Sequence, residues 1–365
     1  MTRPTIRDDL ATLEGYHSPQ VDVEVRLNTN EAPGPPPAGF TEAVVAATRQ
    51  IAWHRYPDRS ATELRTAIAG LHGLYPAQVF CANGSNEVLQ TILLTFAGPG
   101  RSVLTFEPTY AMHGHIARVT GAQTIVGERG DDFELDVTAA RELIAAQRPS
   151  VTFLTSPNNP TGIVESESTI RTVLGAVADV GGLLVVDEAY GQFAPWSAAA
   201  LLDDDTPLVV TRTYSKTWAM AGARLGYLLG PAWLIDELDK VVLPYHLDSM
   251  KQAAGLAALE FIDDMEAMVA SVVEERGRIV ARLQDLGADV WPSGANFVLF
   301  RPPGGDGAAV WQGLLDRSVL VRNTSGWDRL EGCLRVTVGT PADNARFLNA
   351  IAEVLGAPSG AETPS

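Results

Sequence analysis

The feature that most constrains the fold of this chain is the alternation of short apolar segments with helical segments, from about Ala43 to Tyr245. Short segments that are apolar on both faces are typical of strands buried in a mostly parallel sheet. The predicted strands are Val79–Ala82, Val103–Phe106, Gln123–Val126, Val151–Thr155, Leu183–Asp187, Leu208–Arg212 and Leu225–Leu229. Strands that alternate with helices in this way predict an α/β fold with a doubly wound, mostly parallel sheet.

The starts of two intervening helices are predicted from residues that can cap them. Ser60 and Glu63 have the spacing of a capping box, in which each side chain accepts a hydrogen bond from the backbone of the other residue. Ser85 follows a predicted strand and is suited to cap the next helix, because a serine hydroxyl accepts a hydrogen bond from a free N–H at a helix start.

The sequence pattern changes after Tyr245, and this change predicts a second, smaller α+β domain. A long amphipathic helix is predicted over Asp263–Leu286, with Gly287 suited to end it. The strands predicted after it are Asn296–Phe300, Val319–Arg322 and Cys333–Val338. A last helix is predicted to begin at Thr340, which is followed by a proline that favours the first turn.

Before the large domain, the proline-rich segment Glu31–Pro37 excludes both helix and central strand and predicts an extended link. We therefore expect an N-terminal arm at 1–42 that joins the small domain, followed by a large domain at 43–245. The small domain would then occupy 246–356, and residues 357–365 would form a disordered tail.

Composition excludes several classes of function. With 44 acidic and 27 basic side chains the net charge is −17, which disfavours nucleic-acid binding. No apolar run is long enough to span a bilayer, and the first residues lack the apolar core of a secretion signal, so we expect a cytoplasmic protein without membrane contact. Cys81 and Cys333 form no C-x-x-C pattern, and the pair His113 and His115 lacks further ligands at metal-binding spacing. We therefore predict no metal site.

Polar residues follow four of the predicted strands at their carboxyl ends, where ligands bind in open α/β sheets. They are Gly84-Ser85-Asn86, Ser156–Gly162 with Asn159 in its centre, Asp187, and Ser215-Lys216. Each has an ordinary explanation by itself. Asp187 could cap a helix or form an ion pair, Lys216 could be a surface lysine, and the glycine-containing turns could bind nothing. Together they supply a lysine for a Schiff base, a carboxylate for a pyridinium nitrogen and a helix start for a phosphate, which are the requirements of pyridoxal phosphate (PLP).

On these residues the chain resembles the fold type I PLP-dependent aminotransferases, the aspartate aminotransferase superfamily, over nearly its whole length. The more specific stretches, Arg55–Asp58 (RYPD) and Gly332–Gly339 (GCLRVTVG), resemble the histidinol-phosphate aminotransferase family within it. The resemblance implies a large PLP domain with a smaller α+β domain. It also implies transfer of an amino group between glutamate and imidazole-acetol phosphate, a step of histidine biosynthesis that yields histidinol phosphate and 2-oxoglutarate.

The resemblance also implies roles for individual residues. Lys216 would bind PLP and move the proton, Asp187 would pair with the pyridine nitrogen, and Asn159 and Tyr190 would hydrogen-bond the 3′-oxygen. The other cofactor contacts that it implies are Tyr110, Ser85, Asn86, Thr213, Ser215, Arg224 and, from the neighbouring subunit of a homodimer, Tyr56. The substrate contacts that it implies are Arg335 and Arg322 at the anionic group, Tyr16 at the same end, and Asn30 at the entrance.

Other functions remain open at this point. The same fold supports aromatic amino-acid aminotransferases and amino-acid-phosphate decarboxylases, which differ in their substrates. A PLP-binding regulator is less favoured, because such proteins attach a helix-turn-helix domain and the roughly 40 residues before the core contain no basic recognition helix. A dinucleotide-dependent dehydrogenase is disfavoured because no G-x-G-x-x-G follows the first strand.

Overall fold

The computed structural model describes residues 3–13, 15 and 21–356 and contains two β-sheets with helices packed against both. The larger sheet is formed by Val79–Ala82 (β2), Ser102–Glu107 (β3), Gln123–Glu128 (β4), Val151–Thr155 (β5), Leu183–Asp187 (β6), Leu208–Thr213 (β7) and Gly226–Leu229 (β8). Its strand order is β2-β8-β7-β6-β5-β3-β4, and all neighbours are parallel except those that pair with β8. The predicted α/β fold with a mostly parallel sheet is confirmed.

Burial of both faces explains why the central strand β6 is apolar up to its last residue. In β6, Leu184 and Val186 belong to one hydrophobic core, whereas Leu183 and Val185 belong to the core on the opposite face. Alternate side chains of a strand point to opposite faces, so a strand covered on both sides gains nothing from polar residues in its interior. The carboxyl end is the exception, because Asp187 closes the strand there.

The helices alternate with these strands and continue through the second half of the chain. They are Phe40–Thr48 (α1), Thr62–His72 (α2), Ser85–Phe96 (α3), Met112–Thr120 (α4), Val137–Gln147 (α5), Glu167–Asp179 (α6), Tyr214–Thr217 (α7), Ala232–Val241 (α8), Ser249–Ala258 (α9), Ile262–Asp285 (α10), Gly307–Leu315 (α11) and Pro341–Val354 (α12). None of the helices in the described ranges is both long enough and apolar enough to cross a membrane.

The smaller sheet unites the N-terminal arm with the C-terminal part of the chain. It is formed by Val25–Leu27 (β1), Asp289–Val290 (β9), Phe297–Arg301 (β10), Val319–Asn323 (β11) and Leu334–Thr337 (β12), in the order β1-β11-β12-β10-β9. Strand β1 pairs in parallel with β11, and the other pairs are antiparallel. Its core contains side chains of α10 and α12, such as Ile279 and Phe347. The arm segment at 25–27 therefore belongs to the small sheet.

Most predicted elements agree with the structure, but two helix starts were wrong. Strands β2, β5 and β6 have the predicted bounds, and Thr340 caps α12. Ser60 does not cap α2, because the helix begins at Thr62 and the carboxylate of Asp58 accepts hydrogen bonds from the amides of Ser60 and Thr62. Ser85 is the first residue of α3, and Gly84 occupies the cap position without a side chain to contribute. The predicted disordered tail at 357–365 lies outside the described residues.

Candidate active site

Lys216 lies on the short helix α7, directly after β7, and its amine faces a cavity of ≈ 230 Å³. Nζ donates a hydrogen bond of 3.2 Å to the backbone carbonyl of Thr29 and lies 5.7 Å from the centre of the Tyr190 ring. Burial, together with the charges of Arg335 and Arg224, lowers the pKa of Lys216 to about 7. The site therefore holds an amine that is partly neutral at physiological pH, as a nucleophilic lysine requires.

Asp187 ends β6 at the same cavity and is held by two donors. Its carboxylate accepts a 3.1 Å hydrogen bond from the Ala189 amide and lies 3.0 Å from Nε2 of His113. His113 is fully buried, and its ring stacks on Phe153 with centroids 4.3 Å apart. These contacts fix the direction of the carboxylate of Asp187, a residue that is only 2% exposed and lines the cavity.

The start of α3 forms a polar cradle with Thr213, Ser215 and Arg224, which lie on either side of Lys216 in the sequence. Arg224 donates to the hydroxyl of Ser215 at 3.2 Å, and the amide of Ser215 donates to the Thr213 hydroxyl at 3.1 Å. The first N–H groups of a helix lack partners within the helix, so the start of α3 attracts anions. Gly226 allows this close packing, because a Cβ atom there would lie 2.4 Å from the backbone nitrogen of Ser85.

On the small-sheet side, arginines approach the cavity from neighbouring strands. Arg335 on β12 is buried and donates to the side chain of Asn159 and, at 3.1 Å, to the carbonyl of Asn28. Arg322 on β11 lies directly opposite Arg335 in the antiparallel pair. Near them, the side-chain amide Nδ2 of Asn30 donates a hydrogen bond to the hydroxyl of Tyr190 at 3.0 Å.

The structure brings most of the predicted site residues around this one cavity. Those that line it are Asn30, Ser85, Asn86, Tyr110, Asn159, Asp187, Tyr190, Thr213, Ser215, Lys216, Arg224, Arg322 and Arg335. Tyr56 does not line it. The tyrosine is 78% exposed and stacks on Tyr245, with ring centroids 4.5 Å apart. Tyr16 lies outside the described residues.

Several residues at the site were missed from sequence, among them His113 and Trp327. His113, considered only as a metal ligand, instead contacts Asp187. The signal for its burial was its place on α4 with Ile116 and Ala117, which share one buried face of the helix. Trp327 lines the cavity from the loop after β11, where no pattern indicated contact with the site.

The charges around the cavity are opposite in sign to those of the whole chain. Among the described residues, the charged groups that line it are the basic side chains of Lys216, Arg224, Arg322 and Arg335 and one carboxylate, that of Asp187. The chain as a whole carries a net charge of −17. The cavity therefore suits anionic ligands, because a local cluster of cations outweighs a distant, solvent-screened negative surface.

Comparison with known proteins identifies the class. The model of the family "Aminotransferase class I and II" matches residues 22–351, and the chain belongs to this family. Among its curated relatives, the histidinol-phosphate aminotransferase of Streptomyces avermitilis is 46% identical over 359 residues, covering 96% of each chain. That of Mycolicibacterium smegmatis is 44% identical over 362 residues, covering 96% of this chain and 93% of the relative. Within the family, the chain is thus similar over its full length to histidinol-phosphate aminotransferases.

Solved structures agree on the fold. The histidinol-phosphate aminotransferase of Sinorhizobium meliloti, determined in complex with pyridoxal 5′-phosphate, superposes with a TM-score of 0.83 and is 24% identical, covering 92% of this chain and 91% of that one. A putative aminotransferase of Burkholderia pseudomallei gives a TM-score of 0.81 at 26% identity.

Pyridoxal phosphate is the cofactor of this family, and the residues around the cavity fit it. The cofactor needs an amine for its aldehyde, an anion for its ring nitrogen and donors for its phosphate. Lys216, Asp187 and the cradle of Ser85, Ser215 and Arg224 supply these groups around a single cavity.

Proposed function

We propose that the chain is a PLP-dependent transaminase that moves an amino group between glutamate and imidazole-acetol phosphate, giving 2-oxoglutarate and histidinol phosphate. The observation that carries this proposal is the placement of Lys216 and Asp187 in one cavity that is otherwise cationic. The amine and the carboxylate meet the needs of the cofactor, and the remaining cations meet those of substrates that carry a carboxylate or a phosphate.

When bound, pyridoxal phosphate supplies the electron sink that stabilises negative charge on the substrate carbon. Asp187 supports this chemistry because an anion beside the ring nitrogen favours the protonated, electron-withdrawing form. His113 acts through Asp187, since its Nε2 contact and its stacking on Phe153 keep the carboxylate pointed into the cavity. Asn159 and Tyr190 are proposed to hydrogen-bond the 3′-oxygen, and Tyr110 to stack on the ring.

Lys216 is proposed as the base that moves the proton. Its Nζ would accept the proton from the substrate carbon that bears the amino group and hold it for return during the transfer. The pKa of about 7 suits both steps, because a base with a pKa near the working pH can accept a proton and return it. A hydrogen bond to the backbone carbonyl of Thr29 holds this amine at the cavity.

The phosphate of the cofactor is proposed to bind in the cradle, where the amides of Ser85 and Asn86 and the hydroxyls of Thr213 and Ser215 are its donors. Arg224 adds a guanidinium, whose planar fork matches two phosphate oxygens. At the other end of the cavity, Arg335 and Arg322 are proposed to bind the phosphate of histidinol phosphate or a carboxylate of glutamate in turn. Asn30 lines the cavity. Its predicted place at the entrance and the contact of Tyr16 with the substrate stay predictions.

We further propose that the active form is a homodimer in which Tyr56 reaches the cofactor phosphate of the partner subunit. The exposed ring of Tyr56 and its absence from the cavity of its own chain support this arrangement. The domain division at 1–42, 43–245 and 246–356 is proposed on the two sheets and their separate cores. A cytoplasmic location is proposed because both cysteines are buried and free, as reducing compartments favour.

Absorbance spectroscopy of the purified protein tests the proposed function. We expect a near-visible band from lysine-bound cofactor that disappears when histidinol phosphate or glutamate is added and returns with 2-oxoglutarate. Lys216→Ala should lack this band and lose at least about a thousandfold in turnover. A band that responds to phenylalanine or tyrosine but ignores histidinol phosphate would assign the chain to aromatic substrates. No band after reconstitution with PLP would refute the cofactor site.

A further inference from the structure

The two arginines at the substrate end of the cavity form an unusual pair. Arg322 and Arg335 are direct neighbours across the antiparallel strands β11 and β12, and like charges in that position destabilise a sheet. Such a pair has to be held in place by its surroundings until an anion binds between or beside the two guanidinium groups.

Each guanidinium lies over an aromatic ring, but one ring belongs to a strand and the other to a loop. The Cζ atom of Arg335 lies 5.1 Å from the ring centre of Phe297, a fully buried residue of β10. The Cζ atom of Arg322 lies 5.3 Å from the ring centre of Trp327, which is half-buried, lines the cavity and belongs to a loop. Both distances are within the range of a cation–π interaction.

The loop that carries Trp327 is tied to the large-sheet side of the molecule. Arg329 donates to the backbone carbonyls of Arg129 and, at 2.9 Å, Gly130. Arg129 is itself buried and forms an ion pair of 2.6 Å with Glu165. The backbone of Trp327 therefore lies two residues from an anchor on the large-sheet side, and its ring also packs on a small hydrophobic cluster that includes Leu299 and Leu330.

We propose that Trp327 is a specificity-determining positioning residue, whose ring holds the Arg322 guanidinium in place as the second cation for a phosphate group. This inference rests on the proposed function. One bidentate arginine satisfies a carboxylate, and Arg335 is fixed by Asn159, Asn28 and Phe297. A phosphate monoester carries nearly two negative charges and three oxygens, so it gains from a second, ordered guanidinium.

The test compares both amino donors in Trp327 variants of the holoenzyme. We expect Trp327→Leu to raise KM for histidinol phosphate by roughly five- to thirtyfold, the upper part of the range for a lost cation–π contact, with kcat nearly unchanged. KM for glutamate should change by less than about twofold, since Arg335 is untouched. Trp327→Phe keeps a ring under Arg322 and should restore most of the affinity. If Trp327→Leu does not fold, Arg329→Gln, which only loosens the loop, should give the same selective rise in KM.

Trp291 provides a matched control. It packs on the same small hydrophobic cluster as Trp327 and lies 5.4 Å beneath the guanidinium of Arg301, but it does not line the cavity. Trp291→Leu should lower thermal stability without changing the ratio of the two KM values. Equal losses for both donors, or an equal effect of Trp291→Leu, would overturn the role of Trp327. Wild-type protein that binds PLP but is inert toward histidinol phosphate would instead refute the proposed function, and this inference with it.

Discussion

Lys216 places an amine in surroundings that oppose its charge. The pKa of Lys216 is lowered from 10.5 to about 7, first by burial and then by the charges of Arg335 and Arg224. Between these two pH values the unfolded chain binds more protons than the folded chain. Stability without cofactor is therefore reduced as the pH falls from 10.5 to 7, and the whole loss is present below 7.

Replacing this amine should stabilise the cofactor-free chain while abolishing activity. We expect Lys216→Met to raise the thermal midpoint by several degrees at pH 7, because the variant buries no charge. The advantage should shrink as the pH rises toward and above 10.5, because the lysine of the unfolded wild type then loses the proton that the folded lysine has already lost. Scanning calorimetry of apoprotein at several pH values measures this. Lys240→Met, at an exposed residue paired with Glu237, is the control and should show no such pH-dependent gain. An equal midpoint for Lys216→Met and wild type at pH 7 would contradict the argument.

At the scale of elements, the start of α2 shows a difference between the cap predicted from sequence and the cap in the structure. The Asp58 carboxylate accepts from the amides of Ser60 at 3.0 Å and Thr62 at 2.7 Å, whereas the capping box predicted at Ser60 does not form. We expect Asp58→Ala to cost about 1 kcal/mol of unfolding free energy, the usual value of a lost cap. Ser60→Ala should cost less than about 0.5 kcal/mol. Urea unfolding of both variants measures the difference, and the opposite ranking would restore the capping box.

The contact between β8 and the start of α3 depends on a glycine without a side chain. A Cβ atom at Gly226 would lie 2.4 Å from the backbone nitrogen of Ser85 and would push the helix start away. We expect Gly226→Ala to cost about 1–3 kcal/mol of stability and to weaken PLP binding by about tenfold, because the proposed phosphate donors move. Gly222→Ala, in open space beside the same cradle, is the control. Unchanged PLP affinity in Gly226→Ala would show that this helix start does not bind the phosphate.

These elements also show how far sequence alone reaches. Strands such as Leu183–Asp187 were predicted correctly because burial on both faces leaves a continuous apolar run that ends in a polar residue. Helix starts failed because several polar residues compete for the same amides, and backbone geometry decides among them. The contact of His113 with Asp187 joins segments far apart in sequence, and the contact of Trp327 with Arg322 involves a loop. No local pattern encodes such contacts.

At the scale of the whole molecule, the surface around Tyr56 bears on whether each active site belongs to one chain or is shared between two subunits. Tyr56 is exposed and stacks on Tyr245. Leu243, two residues before Tyr245 in the sequence, is 76% exposed. Large apolar side chains grouped on a surface mark protein contacts, and a symmetric dimer would bury this group on both subunits. The proposed homodimer therefore has a specific consequence for mixtures of variants.

Two variants that are each impaired should restore activity when they share a dimer. In a dimer of Lys216→Ala with Tyr56→Ala, one site carries both defects, and the other combines an intact Lys216 with the intact Tyr56 of its partner. Random exchange of subunits makes half of the dimers mixed, so we expect recovery to about a quarter of wild-type activity. The measurement is turnover before and after the variants are unfolded and refolded together, with each variant refolded alone as the control. If Tyr56 instead serves its own chain, each site in the mixed dimer keeps one defect, and the mixture shows no more than the average of the two variants.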